Sequence, residues 1–181
     1  MIIPINNLIT TNLLDDSCVM ACFEELSKLP YKMIQEFYEN DWQIRITKNC
    51  IEHHLGERVP IPGEGFTGGI TFFDSRTIYL PANSPEGCDI PHYYIKYSTI
   101  HEFGHYFDRS KGLISMSYEF QNIYDKEDRI FCKEIGTASN TDSSIEYFAE
   151  SFSCYVKDNE HMREFCPLTC AYFDKIFNAY R

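Results

Sequence analysis

The chain has 181 residues, 44% of them hydrophobic and 15% aromatic, with a formal net charge of -11 and a pI of about 4.9. That length and apolar content support a sizeable buried core and exclude a disordered polymer. The acidic balance, with no stripe of Lys and Arg, argues against nucleic acid and anionic membrane as partners, and no apolar run is long enough to span a bilayer.

In chain order, Met1–Asn7 offers neither a basic segment nor a continuous apolar one, so no signal peptide is read there. The expectation is a cytoplasmic chain, or a secreted one whose leader has been removed. Residues 15–29 place Val19, Met20, Cys22, Phe23 and Leu26 at helical spacing behind Asp15 and Asp16, and a second short helix follows over 31–40. Trp42–Ile46 alternates as a strand does. Pro60, Pro62, Gly63, Gly65, Gly68 and Gly69 predict a loop, and Pro81, Pro85, Gly87 and Pro91 a second one. Between them, Ile70–Phe73 and Thr77–Leu80 predict a β-hairpin turning at Asp74-Ser75-Arg76. The remainder reads as helices over 95–110 (stopping at Gly112), 117–134, 143–157 and 159–180, the last restarted at Pro167, with a loop at 136–144. A single domain over 1–181 is expected, with a helical lead-in at 1–40 and a main body at 41–181. Its architecture is a small, partly antiparallel sheet with helices stacked against it.

The eight cysteines form no CxxC pairs. Cys18/Cys22 and Cys166/Cys170 share helix faces and are read as reduced, buried thiols. The 13 Tyr and 14 Phe, mostly at core spacing, are assigned to packing.

The chemistry concentrates at His101-Glu102-Phe103-Gly104-His105. Residues four apart on a helix share a face, so His101 and His105 aim two imidazoles at one point, as Zn²⁺ requires. Glu102, beside the first ligand, is placed to act as the general base on a water polarised by the ion. Ile100, Phe103 and Phe107 give this helix a buried face. Gly104 costs about 1 kcal/mol of helix propensity, which is easier to understand if another backbone comes close. The residues after His105 lack the Gly and third His of a metzincin extension, so a third ligand must come from elsewhere, as a carboxylate. Glu119, Asp125, Glu127, Asp128 and Glu134 fall on a helix read as mostly solvated. Glu146 and Glu150 lie one turn apart in the otherwise apolar Ile145–Phe152, where burial is costly unless a cation neutralises them. Glu146 is the preferred ligand and Glu150 a partner for a ligand histidine; the alternative is a polar edge on a half-exposed helix. Asp108 either orients an imidazole or forms a surface ion pair.

The pentapeptide followed by Glu146-Tyr147-Phe148-Ala149-Glu150-Ser151-Phe152 resembles the catalytic domain of anthrax lethal factor and the related small Pro-Pro endopeptidases of clostridia. The resemblance extends from the glycines at 65–69 to the C-terminus, including Cys166-Pro167-Leu168-Thr169. It implies an α+β, mostly helical zincin-like fold with a small mixed or antiparallel sheet and an active-site HExxH helix. It implies a zinc metalloendopeptidase of the gluzincin type, with Glu146 as the third zinc ligand and Glu150 as the second Glu of the motif. It also implies that an extended peptide lies on the strand preceding the active-site helix, which falls on Gly69, Ile70 and Thr71. A loop tyrosine before the third ligand, the family's oxyanion donor, has no counterpart in 136–144; Tyr124, Tyr147 and Tyr155 are the alternatives. The expected substrate is a peptide or protein, acted on by a monomer. Two other functions stay open: a weak or inactive zinc-containing module that binds peptide without cutting it, and a hydrolase of non-peptide amides with a closed pocket.

Overall fold

The computed structural model describes residues 5–13, 16–47, 68–82, 91–135 and 142–181. The expected loop glycines Gly63 and Gly65, the loop residues Pro85 and Gly87, and most of the 136–144 loop lie outside these. The chain divides into two compact units, Met1–Glu102 and Phe103–Arg181, and the division falls inside one uninterrupted helix.

The first unit holds α1 (Ile5–Leu8), β1 (Ile9–Thr11), α2 (Ser17–Leu26), α3 (Tyr31–Glu39), β2 (Gln43–Thr47), β3 (Ile70–Phe72) and β4 (Thr77–Pro81). It also contains the first half of α4 (Tyr93–Ser110). The sheet runs β1-β2-β4-β3, parallel across β1, β2 and β4 and antiparallel at β3. The sheet is therefore mixed, and the predicted hairpin is present, with Thr71 opposite Ile78. Ile44 and Ile46 are fully buried beside exposed Gln43 and Arg45, the alternation expected of β2, and Ile78 and Leu80 of β4 are fully buried as well. β1 is three residues long, too short to show a period, and is absent from the elements expected above. α2 starts one residue after Asp16, whose side chain makes no capping hydrogen bond, and its first turn holds no acidic residue. Cys18 and Cys22 are buried and unbridged, and burial pushes the Cys22 thiol up to about 12.

Among the described residues the elements of the second unit are all helical, built around aromatic rings. After α4 and a short 3₁₀ turn at Ile114–Met116 come α5 (Tyr118–Glu134), α6 (Ser144–Lys157), α7 (Asn159–Phe165) and α8 (Pro167–Ala179). Phe103, Phe120, Phe131, Tyr147, Phe148, Phe152 and Phe173 are fully buried, as rings assigned to packing should be, whereas Tyr118, Tyr31 and Phe23 are exposed. Gly104 has the close neighbour its helix position called for: a Cβ there would sit 3.0 Å from the Ala149 Cα and 3.3 Å from its carbonyl oxygen. Burial pushes the Cys154 and Cys166 thiols up to about 12 and Cys170 to about 11, as for inert reduced thiols.

Glu127 departs from the sequence reading. It is 4% exposed, not solvated, and caps α8 from a neighbouring helix. Its carboxylate accepts hydrogen bonds from Leu168 N at 2.8 Å, Thr169 N at 2.9 Å and Thr169 Oγ1 at 2.7 Å. α8 begins with Pro167 behind Cys166, whose side chain makes no capping hydrogen bond, so its first N–H groups need an outside acceptor. Glu127→Ala should cost about 3 kcal/mol, because three donors, two of them buried, lose their acceptor. Urea unfolding should show a lower midpoint at unchanged slope.

Candidate metal centre

α4 carries both histidines, and its 3.6-residue period puts them on one face while Ile100, Phe103 and Phe107 turn inward. The helix ends where expected: Gly112 has a φ of 86°, a left-handed conformation that glycine adopts without strain. α6 supplies the carboxylate. Its N-cap, Ser143, accepts from Glu146 N at 3.2 Å and so fixes the backbone of Glu146 in the first turn.

The ligating atoms of His101, His105 and Glu146 all lie within 4.8 Å of one another. Among the described residues, no other group of three His, Cys, Asp or Glu side chains comes together in this way. His105 Nε2 and Glu146 Oε2 are 3.5 Å apart. That is long for a charge-assisted hydrogen bond, but ligands held roughly 2.0–2.2 Å from one tetrahedral ion stand about 3.3–3.6 Å apart. Two imidazoles and one carboxylate leave a fourth position open, the donor set of a catalytic metal site. The residues present therefore fit a metal ion.

Burial at the site differs from the sequence reading in one respect. His101 is buried, whereas the Glu146 side chain is 41% exposed. Of the two acids in the apolar stretch, Glu150 is the one fully enclosed, at 2%.

Asp108 is neither exposed nor part of a surface ion pair. It is 1% exposed, and its two carboxylate oxygens accept from Ser115 N at 2.6 Å and Ser115 Oγ at 2.7 Å. The Ser115 carbonyl in turn accepts from Gln121 Nε2 at 2.8 Å, and the same amide donates to Ser144 Oγ at the start of α6. This relay ties the end of α4 to the first turn of α6, and so sets His105 against Glu146. The sequence reading missed Ser115 and Gln121, because nothing local marks a hydrogen bond between separate turns.

Glu102 is 6% exposed and held from the sheet side. Thr71 Oγ1 donates to its Oε2 at 2.7 Å and lies 3.1 Å from its backbone carbonyl oxygen. A Cβ on Gly69 would meet Glu102 Cγ at 2.7 Å and Oε1 at 2.9 Å, so only glycine leaves room for the carboxylate. Gly69, Ile70 and Thr71 thus lie on or beside β3, the edge strand among the described residues, with two of the three against Glu102.

Two of the alternative oxyanion donors are committed to the core. The Tyr147 hydroxyl is bonded to Thr169 Oγ1 at 2.8 Å, and the Tyr155 hydroxyl donates to Asp174 at 2.7 Å. Burial raises the pKa of both phenols, and the Asp174 bond adds to the rise at Tyr155. Tyr124 is half-buried beside the Tyr147 ring, 5.4 Å between centroids.

Among the described residues no helix is long and apolar enough to cross a membrane. No curated protein matches the chain. Among solved structures it is similar to the Pro-Pro endopeptidase PPEP-2 from Paenibacillus alvei, at 25% identity and a TM-score of 0.73, covering 96% of this chain and 99% of that one. The family model described as anthrax toxin lethal factor, N- and C-terminal domain, matches residues 84–176, just over half of the sequence and the part that carries all three clustered side chains. The chain therefore belongs to the anthrax toxin lethal factor family.

Proposed function

We propose that this protein is a zinc-dependent endopeptidase in which His101, His105 and Glu146 hold the ion and Glu102 moves the proton. The observation that carries the reading is the convergence of two histidines four residues apart with a carboxylate from another helix. The likeness to an endopeptidase over nearly the whole chain supports it. When bound, zinc supplies Lewis acidity toward a water and toward the scissile carbonyl.

The chain's own residues do the rest. Glu102 takes one proton from the attacking water as the new C–O bond forms, and gives it to the amine nitrogen as the C–N bond breaks. Its burial keeps bulk water from competing for that proton. Among the described residues β3 has a partner on one side only, and that edge suits an extended peptide that adds as a further strand along Gly69, Ile70 and Thr71. Glu150, enclosed on the same helix as Glu146, is assigned to orienting a ligand imidazole.

A peptide module that holds without cutting would have no need of an acid fixed by a neighbouring hydroxyl, so the arrangement around Glu102 favours hydrolysis. A mixed peptide library incubated with zinc-loaded protein, with products read by mass spectrometry, should yield internal cleavages that stop on chelation. Intact peptides after incubation with fully loaded protein would overturn the proposal.

A further inference from the structure

We infer that Thr71 is a positioning residue for the general base: its hydroxyl fixes one oxygen of Glu102 and leaves the other to carry the proton. The inference rests on the reading of Glu102 given above and goes beyond it, because Thr71 entered as a backbone contact for substrate.

The geometry has three parts. Thr71 Oγ1 is 2.7 Å from Glu102 Oε2, a well-formed hydrogen bond from the hydroxyl to the carboxylate oxygen. A threonine hydroxyl has one proton to give, and the 3.1 Å contact to the Glu102 carbonyl is the longer of the two. Gly69 then closes the opposite side, because its Cα leaves a space that Glu102 Cγ and Oε1 fill. Two residues of one short segment therefore set the rotamer of a carboxylate on another element.

The consequence concerns substrate as well as base. In antiparallel β3, Thr71 faces the same side as its partner Ile78, which is fully buried, while Ile70 and Phe72 face the other. The Thr71 side chain is thus turned to Glu102, and its backbone remains part of the edge strand on which the peptide is proposed to lie. One residue couples the register of the peptide to the position of the base. A misplacement of about 1 Å at such a group costs on the order of 100-fold in rate.

The test uses Thr71→Val, which keeps the β-branched shape and removes the hydroxyl, and Thr71→Ser, which restores it. Thr71→Val should lower kcat roughly 10- to 100-fold with KM within about twofold, and Thr71→Ser should recover most of that loss. Zinc content and melting temperature of both should match the wild type. Gly69→Ala should also lower kcat, by pushing the carboxylate aside. A crystal structure of Thr71→Val should show the Glu102 carboxylate turned from its wild-type rotamer.

Wild-type kcat in Thr71→Val would overturn the inference, and so would a loss that tracks zinc content or melting temperature. If the wild type itself cleaves nothing, the endopeptidase reading fails. The crystal structure still decides the positioning claim, since an unmoved Glu102 in Thr71→Val refutes it.

Discussion

Glu102→Gln is expected to bind one zinc ion per chain and to lose hydrolysis by roughly 10²- to 10⁴-fold, the usual contribution of a general base. The substitution suits the question because the side chain is 6% exposed and packed against Gly69, so a shorter residue would open a cavity and confuse the result. Glutamine keeps the volume, and its amide oxygen still accepts from Thr71 Oγ1, so the local packing survives. What is removed is the ability to accept and return a proton. The loss should fall on kcat with KM nearly unchanged, since the proton moves only during the chemical step. Zinc should be retained because Glu102 is not one of the three clustered ligand atoms. Cleavage at the wild-type rate would remove Glu102 from the mechanism. Loss of zinc would place it among the ligands instead.

The parts of this site that follow a period were legible in the sequence, and the parts that depend on long-range contacts were not. The spacing of His101 and His105 fixes a shared helix face, and the structure keeps them there. Gly104 was also legible, because a helix tolerates glycine poorly and the close approach of Ala149 supplies the reason. Glu146 and Glu150 stood out as acids in an apolar run, but composition does not say which of the two is enclosed; the helix turns Glu150 inward and leaves Glu146 half exposed. Glu127 was misread by composition, with Asp125 and Asp128 beside it. Its spacing held the better signal: Phe120, Ile123, Glu127 and Phe131 follow the helical period, and all four are buried on one face. The missing cap at Cys166 was a second clue, visible as a proline-led helix with no polar side chain before it. Asp108 and Thr71 gave no comparable sign, because their partners lie across turns and strands.

The strongest separation between a ligand and a polar surface acid comes from Glu146→Ala. Glu146 lies in the first turn of α6, its side chain is 41% exposed, and the cap that starts the helix is made by Ser143 to its backbone N–H. Alanine keeps that N–H, buries no polar group and has the best helix propensity, so the metal-free variant should melt within a few degrees of the metal-free wild type. Zinc binding should respond very differently. Disturbing a partner of a metal ligand already costs about 10- to 100-fold in affinity, and removing the carboxylate ligand should cost at least the upper end of that range. Added zinc should therefore raise the wild-type melting temperature and leave that of Glu146→Ala almost unmoved at the same concentration, because stabilisation by a bound ion scales with the logarithm of its concentration over Kd. Hydrolysis should disappear with the metal. If the variant instead holds zinc as tightly as the wild type, Glu146 is a solvated helix edge and the third ligand must be sought elsewhere. The pair of results also bears on Asp108, whose buried bonds to Ser115 lead through Gln121 to Ser144, two residues before Glu146. That relay predicts that the position of Glu146 is held by the fold before any ion arrives, so the metal-free protein should already be folded in the region that receives the ion.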